Sequence, residues 1–139
     1  MILFRPVGLN ELRLIAQAGY RAFPPRLPEQ PFFYPVLNLE YAEQIARDWN
    51  TKRAPFAGFV TRFEVDDEFI ANFPVQTVGS SIHRELWVPA KELAECNQHI
   101  RGKIEVVRSF YGKDFEGELD SATQLPQEFC QDGTLNTDN

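Results

Sequence analysis

The change of apolar spacing at Pro55 constrains the fold of this chain more than any other feature of its sequence. Before it, residues 39–49 carry apolar side chains at helical spacing, and Asn38 stands where a helix cap is expected. After it, residues 59–65 alternate apolar and polar side chains, which is typical of a β-strand with one buried face. A chain that holds both patterns packs helix against sheet, which favours the α+β class.

The other segments extend this interpretation to the whole body of the chain. Residues 2–7 predict a first strand, followed by a helix that Asn10 caps and Gly19 ends. We therefore expect a single compact domain with an antiparallel or mixed sheet and two to three helices. Further strands are predicted at 73–78, 83–88 and 103–110, and a short helix at 89–97.

The segment from Phe23 to Pro35 combines five prolines with four aromatic residues. Proline removes a backbone donor and disfavours helix at the residue before it. Disordered linkers rarely contain this much aromatic surface. We expect an ordered, extended loop.

The formal charge of −6 is not spread evenly over the chain. Residues 1–111 hold equal numbers of acidic and basic residues, so residues 112–139 carry the whole imbalance. We expect a folded domain over 1–111 and an acidic, mobile C-terminal tail over 112–139. A charge-balanced body argues against a dedicated nucleic-acid binder, which shows a basic excess.

Several classes of site and location are disfavoured by composition. No apolar run reaches the roughly 20 residues that cross a bilayer, and the N-terminus lacks the layout of a signal peptide, so we expect a cytoplasmic protein without a membrane partner. Cys96 and Cys130 form no disulfide framework, and His83 and His99 are not at ligand spacing, so no metal site is expected.

Three segments carry the candidate chemistry. Residues 3–8 place Arg5 on the first strand, residues 33–38 place Tyr34 just before the amphipathic helix, and residues 85–89 place Glu85 on a late strand. In the order of these segments and in the residues that surround Arg5, Tyr34 and Glu85, the chain resembles the small bacterial branches of the ADP-ribosyltransferase superfamily. The resemblance extends over about residues 2–110.

The resemblance implies a split-sheet ADP-ribosyltransferase-like fold, with NAD as the substrate and no metal. It implies that Arg5 holds NAD on the first strand and that Glu85 is the catalytic residue. It assigns the other NAD-binding positions to Phe33, Tyr34 and Tyr41.

These residue types suit the chemistry of NAD cleavage. Breaking the nicotinamide–ribose bond builds positive charge on the ribose, and a carboxylate bonded to a ribose hydroxyl stabilises that charge. Glu85 would have this role. Arg5 offers a planar, permanently charged donor to the diphosphate, and Tyr34 or Phe33 offers an aromatic ring to the nicotinamide.

Other interpretations of the same residues stay open. Glu85 can be half of a cross-strand ion pair, Arg5 can pair with Glu11, and Tyr34 can be a packing aromatic. His83 stands two residues before Glu85, where many arginine-modifying members of the superfamily carry Gln or Glu. The acceptor of ADP-ribose therefore stays open and can be a protein or a nucleic acid.

Three other functions also stay open, as does the oligomeric state. The chain can be a relative that binds NAD without transferase activity. It can be a non-catalytic interaction module that uses the loop at 23–35. The third and weakest alternative is RNA binding through arginines and exposed aromatics.

Overall fold

The structure is a computed structural model that describes residues 1–130. It is an α+β domain with antiparallel sheets, as the sequence predicts. Its elements are β1 (Ile2–Gly8), α1 (Leu9–Gln17), β2 (Phe32–Phe33), α2 (Leu39–Asp48), β3 (Ala57–Val65), α3 (Asp67–Ile70), β4 (Val75–Thr77), β5 (Arg84–Leu86), β6 (Val88–Pro89), α4 (Leu93–Gln98) and β7 (Ile100–Tyr111), with single 3₁₀ turns at Asn50–Lys52 and Ala90–Glu92.

The main sheet has the strand order β1-β3-β7, and β4-β5 and β2-β6 form two smaller antiparallel pairs. A bridging segment at residues 35–37 joins the main sheet to β5. Val36 exchanges two backbone hydrogen bonds with Phe4, at 2.9 and 2.7 Å, and the backbone of the bridging segment also bonds with that of Arg84 and Leu86 on β5. Strand β1, the bridging segment and β5 therefore lie side by side.

Helix α2 packs closely on one face of the main sheet. Its buried positions are the small residues Ala42 and Ala46, which let the helix backbone approach the strands. A Cβ atom at Gly58 of β3 would lie 2.3 Å from the carbonyl oxygen of Ala46, so only glycine fits there. Asn38 caps the helix as predicted, because its Oδ1 accepts a hydrogen bond from the backbone N–H of Tyr41 at 2.7 Å.

The opposite face of the sheet holds the larger hydrophobic core. Phe23 anchors the proline-rich loop there, with its ring centroid 5.0 Å from that of Phe33 and 4.8 Å from that of Phe63. The loop tip stays in solvent, since Leu27 is 56% exposed. The loop is thus tied to the core at both ends.

Helices are more numerous than the two to three predicted. The described residues contain four α-helices, of which α3 is a single turn that is too short for apolar periodicity to reveal. The helix predicted from Pro89 divides into a 3₁₀ turn and α4. Gly102, which was expected to precede the last strand, lies inside β7 with a positive φ of 72°.

The domain boundary predicted at residue 111 also differs from the structure. The chain after Gly112 folds back on the domain, where Phe129 is only 6% exposed and its ring meets that of Phe59 at 6.4 Å. Arg13 of α1 donates two hydrogen bonds, of 2.8 and 3.0 Å, to the carboxylate of Glu128. Packing therefore continues to this point, and residues 131–139 of the predicted tail lie outside the described residues.

No helix within residues 1–130 is long and apolar enough to cross a membrane.

The packing of Phe129 predicts a measurable contribution to stability. We expect Phe129→Ala to lower the free energy of unfolding by about 3 kcal/mol, because it deletes a buried ring from the core. Leu14→Ala is the control, since Leu14 is 48% exposed and should change stability by less than about 0.5 kcal/mol. Urea denaturation measures both, and an unchanged midpoint for Phe129→Ala would show that the C-terminal segment does not pack.

Candidate functional site

A cavity of about 280 Å³ lies among β1, the bridging segment, β5 and helix α2. It brings together Arg5, Tyr34 and Glu85, which the resemblance places in one site although they lie in three separate segments. We call it the Arg5–Glu85 cavity. Its walls are Arg5, Pro6, Tyr34, Val36, Ile45 and Glu85.

Arg5 is held firmly on the core-facing side of β1. It shares the buried face of that strand with Leu3 and Val7, and its side chain is only 9% exposed. Its Nε and Nη2 donate to the two carboxylate oxygens of Glu11 at 2.8 and 3.1 Å. The guanidinium also lies 4.8 Å from the ring centroid of Phe33.

The pairing with Glu11 fixes the direction of Arg5 without using all its donors. A guanidinium has five N–H groups, and two of those on Arg5 bond to Glu11. Within residues 1–130 the structure gives the other three no acceptor. Arg5 is therefore a structural ion-pair partner with unused donors. Its side chain leaves β1 on the face of Leu3 and Val7, opposite the face that Val36 and Glu85 share.

Phe33 has a supporting position rather than a place in the wall. It was expected to bind the cofactor together with Tyr34, but its ring is 1% exposed and lies in the core beneath Arg5. Tyr34 is half-buried and does line the cavity. An extended segment points neighbouring side chains to opposite sides, so only one of the two can face a ligand.

Glu85 has both carboxylate oxygens fixed by neighbouring donors. The hydroxyl of Tyr41 donates to Oε1 at 2.8 Å, and the indole N–H of Trp87 donates to Oε2 at 2.8 Å. The side chain is half-buried at the cavity wall. No arginine or lysine pairs with Glu85 in the described part of the chain, so the carboxylate is oriented by neutral donors and keeps its negative charge uncompensated.

Tyr41 was expected to bind the cofactor, and in the structure its hydroxyl bonds with Glu85. Burial, and then the hydrogen bond to Glu85 and the charge of that carboxylate, raise the pKa of Tyr41 to about 12. The phenol is therefore a stable donor throughout the physiological range. Its position indicates that it orients Glu85.

A second arginine lies near the site that sequence reasoning did not assign to it. Nε of Arg26, in the proline-rich loop, donates to the backbone carbonyl of Phe32 at 2.9 Å. Burial first, and the charge of Arg5 second, lower the pKa of Arg26. Arg26 and Arg5 are thus close enough for their charges to interact, although Arg26 is not a wall of the Arg5–Glu85 cavity. No periodicity in a proline-rich loop could have indicated this proximity.

Three half-exposed aromatic rings border the site beside Glu85. The centroid of Trp87 lies 6.3 Å from that of Tyr34 and 5.9 Å from that of Phe32, and the Phe32 and Tyr34 centroids are 6.0 Å apart. These spacings are those of ordinary aromatic packing. The cluster gives the cavity one flat, apolar edge.

A second cavity, of about 560 Å³, lies between α2 and the turn that joins β4 to β5. We call it the Trp49 cavity. The helical pattern at 39–49 predicts that Trp49 packs in the core with the other apolar positions, but Trp49 caps the C-terminus of α2 and is 61% exposed. The walls of the Trp49 cavity are Tyr41, Gln44, Ile45, Asp48, Trp49, Asn50, Arg53, Val78 and His83.

Other reactive groups do not form a site in the described residues. Among residues 1–130 no three His, Cys, Asp or Glu side chains are grouped so that they could hold a metal ion. Cys96 is 1% exposed, and burial raises the pKa of its thiol to about 12, which keeps it protonated.

Comparisons with known proteins give no match, whether by family models, curated proteins or solved structures. Function must therefore be argued from the geometry of the two cavities.

The contact between Tyr41 and Glu85 predicts a change in the titration of Tyr41. In Glu85→Gln the carboxylate charge is gone while the burial of Tyr41 remains, so we expect its pKa to fall from about 12 but to stay above the usual value of about 10. Ultraviolet titration of tyrosinate, taken as the difference from the same protein with Tyr41→Phe, isolates this group. Glu105→Gln is the control, because Glu105 pairs with Arg62 elsewhere. An unchanged titration in Glu85→Gln would rule out the contact.

Proposed function

We propose that the Arg5–Glu85 cavity binds NAD and that Glu85 promotes cleavage of its nicotinamide–ribose bond. ADP-ribose then passes to a protein or nucleic-acid acceptor, or to water. One observation carries the proposal, the meeting of Arg5, Tyr34 and Glu85 at one cavity. Residues that merely resembled a motif in the sequence would have no reason to meet across β1, the bridging segment and β5.

The cavity suits the nicotinamide end of the molecule in shape and chemistry. Its volume of about 280 Å³ is small for a whole dinucleotide and appropriate for a planar ring with part of a ribose. Pro6, Val36 and Ile45 supply apolar walls, and Tyr34 supplies an aromatic face. A ring bound there packs against these apolar walls.

The diphosphate is matched by the arginines. Arg5 has three N–H groups that Glu11 does not use, and its planar guanidinium can donate two of them to a phosphate group that reaches from the cavity to the other face of β1. Arg26 is close enough to interact with the charge of Arg5 and adds a second cation there. Two cations oppose the two negative charges of a diphosphate.

The role of Glu85 follows from its fixed orientation. Each carboxylate oxygen accepts one hydrogen bond, from Tyr41 or Trp87, and has a further lone pair for a ribose hydroxyl. The bond from the ribose carbon to the nicotinamide nitrogen breaks, and its electron pair leaves with the nicotinamide. The ribose becomes positively charged, so its hydroxyl binds the carboxylate more strongly in the transition state. The acceptor then bonds to the ribose carbon and releases its proton to solvent.

Release of nicotinamide tests this function. We expect the wild-type protein to release nicotinamide from NAD and Glu85→Gln to do so about 100-fold to 1,000-fold more slowly, because an amide cannot stabilise the developing charge. Liquid chromatography of the reaction mixture measures the product. Glu105→Gln should act as the wild type does. Equal rates for wild type and Glu85→Gln, or no release by the wild type, would contradict the proposal.

A non-catalytic interaction module is the second candidate, and one observation favours it. The loop at 23–35 presents Leu27, 56% exposed, at its tip. Phe23 and Phe33 belong to the core, so a docking surface there would consist of Leu27 with the half-exposed Phe32 and Tyr34. Such a module has no need of an arginine and an uncompensated carboxylate in one cavity, which is why we place it second.

A further inference from the structure

The Trp49 cavity contains features that neither the fold nor NAD cleavage requires. Its volume, about 560 Å³, is within the range of small-molecule sites. Trp49 leaves 61% of its surface in solvent although it is the largest apolar side chain of the cavity. Exposed indole rings are typical of recognition sites, because they stack on flat ligands at little cost in conformational entropy.

Arg53 adds an unneutralised cation beside that ring. Its guanidinium lies 5.8 Å from the Trp49 ring centroid. Arg47, in the last turn of α2, is paired with Asp48 by two hydrogen bonds of 3.0 and 3.2 Å. Within residues 1–130, by contrast, the structure gives Arg53 no carboxylate partner. An arginine free of acidic partners is suited to bind a phosphate group.

Asn50, a third wall residue, has an unsatisfied acceptor. Its Oδ1 is closed to solvent and has no hydrogen-bond partner, and it is the one such side-chain atom in the part of the chain that the structure describes. The side chain of Asn50 lies against Gly8 and Gly58 of the sheet, so this acceptor is closed to a ligand as it is to water. The aromatic stacking surface of Trp49 and the cation of Arg53 match a nucleotide, which has a flat base and a phosphate.

The Trp49 cavity adjoins the proposed site of NAD cleavage. Ile45 lines both cavities. Tyr41 is a wall of the Trp49 cavity, and its hydroxyl bonds with Glu85 at 2.8 Å. The ring of His83 covers Tyr41 on this side, with centroids 4.7 Å apart. A ligand in the Trp49 cavity is therefore separated from the carboxylate by one phenol ring.

The charge of the body limits how much nucleic acid can bind. Residues 1–111 are electrically balanced, whereas proteins that follow a strand of nucleic acid present a continuous basic surface. A single nucleotide, free or at the end of a strand, needs only the one stacking ring and the one cation that the cavity supplies.

We propose that the Trp49 cavity is a nucleotide-binding site, with the base against Trp49 and the phosphate at Arg53. Nucleotide binding at this cavity does not depend on NAD cleavage. The role of the bound nucleotide rests on the proposed function: the nucleotide is the acceptor of ADP-ribose, and one of its nitrogen or oxygen atoms bonds to the ribose carbon. The proton of that atom goes to water, and nicotinamide leaves with the electrons of the broken bond.

Fluorescence of Trp49 tests the binding directly. The chain has two tryptophans, so the Trp87→Phe variant leaves Trp49 as the sole indole reporter. The probes are the four 5′-monophosphates of adenosine, guanosine, cytidine and thymidine, their free nucleosides, and a short single-stranded DNA. We expect saturable quenching by at least one monophosphate, and at least about tenfold weaker binding of its nucleoside, which lacks the contact with Arg53.

Substitutions in the reporter protein locate the binding. Arg53→Gln should weaken binding of the monophosphate by about tenfold or more, while Arg62→Gln, which removes an exposed arginine on β3, should not change it. Arg5→Gln, checked by circular dichroism for a native fold, should also bind normally. Quenching that is lost in Arg5→Gln would place the nucleotide in the NAD site and overturn the proposal.

The remaining outcomes are equally defined. No quenching by any probe, or equal affinity in Arg53→Gln and the reporter protein, overturns the proposal. DNA that binds more tightly than the monophosphate identifies a strand end as the ligand, and equal binding identifies a free nucleotide; both support it. Because the assay contains no NAD, nucleotide binding without nicotinamide release would refute only the proposed function, and release without nucleotide binding would refute only this site.

Discussion

Two backbone hydrogen bonds between Phe4 and Val36 fix the register between strand β1 and the bridging segment at residues 35–37. They place the bridging segment beside β1, and the other edge of that segment pairs with β5. Arg5 directly follows one bonded residue, Tyr34 lies two residues before the other, and Glu85 forms the next bridge. The candidate site is thus a consequence of strand pairing. In this register Val36 and Glu85 share one face with Phe4, and the side chain of Arg5 leaves from the other face of β1.

The side chains of the site are held before any ligand arrives. Glu11 and Phe33 fix Arg5 from one side, and Tyr41 and Trp87 fix Glu85 from the other. Donors and charges that need no rearrangement are more effective in stabilising a transition state than groups that must first be ordered. The contact with Glu85 also raises the pKa of Tyr41, and the contacts with Glu11 and Phe33 keep Arg5 buried. The interactions that stabilise the fold here are therefore the same ones that orient the side chains of the site.

The sequence predicts the parts of this fold that periodicity encodes. Helix α2 and strand β3 were predicted because residues 39–49 repeat apolar side chains at helical spacing and residues 59–65 alternate them, and Asn38 marks the helix start. Periodicity does not show where such a helix ends, so Trp49 was assigned to the core when it lies in solvent. The bridging segment could not be predicted, since three residues carry no pattern and their pairing is with distant strands.

The candidate site could be predicted only as far as its residue types. Arg5, Tyr34 and Glu85 were selected by resemblance, and their proximity depends on long-range pairing that no local signal contains. Neighbouring side chains of an extended segment point to opposite sides, so either Tyr34 or Phe33 faces the ligand. The packing of Phe33 beneath Arg5 decides between them, and the sequence does not show that packing. Arg26 approaches the site through a proline-rich loop whose path the sequence does not determine.

The central claim is that the Arg5–Glu85 cavity is an NAD site, and a calorimetric titration of NAD is its most direct test. The wild-type protein and Arg62→Gln should bind NAD with equal affinity, and Arg5→Gln should bind it about tenfold or more weakly because the diphosphate loses its fixed guanidinium. No binding heat and no thermal stabilisation of the wild type at millimolar NAD, or equal affinity in Arg5→Gln, would contradict the account.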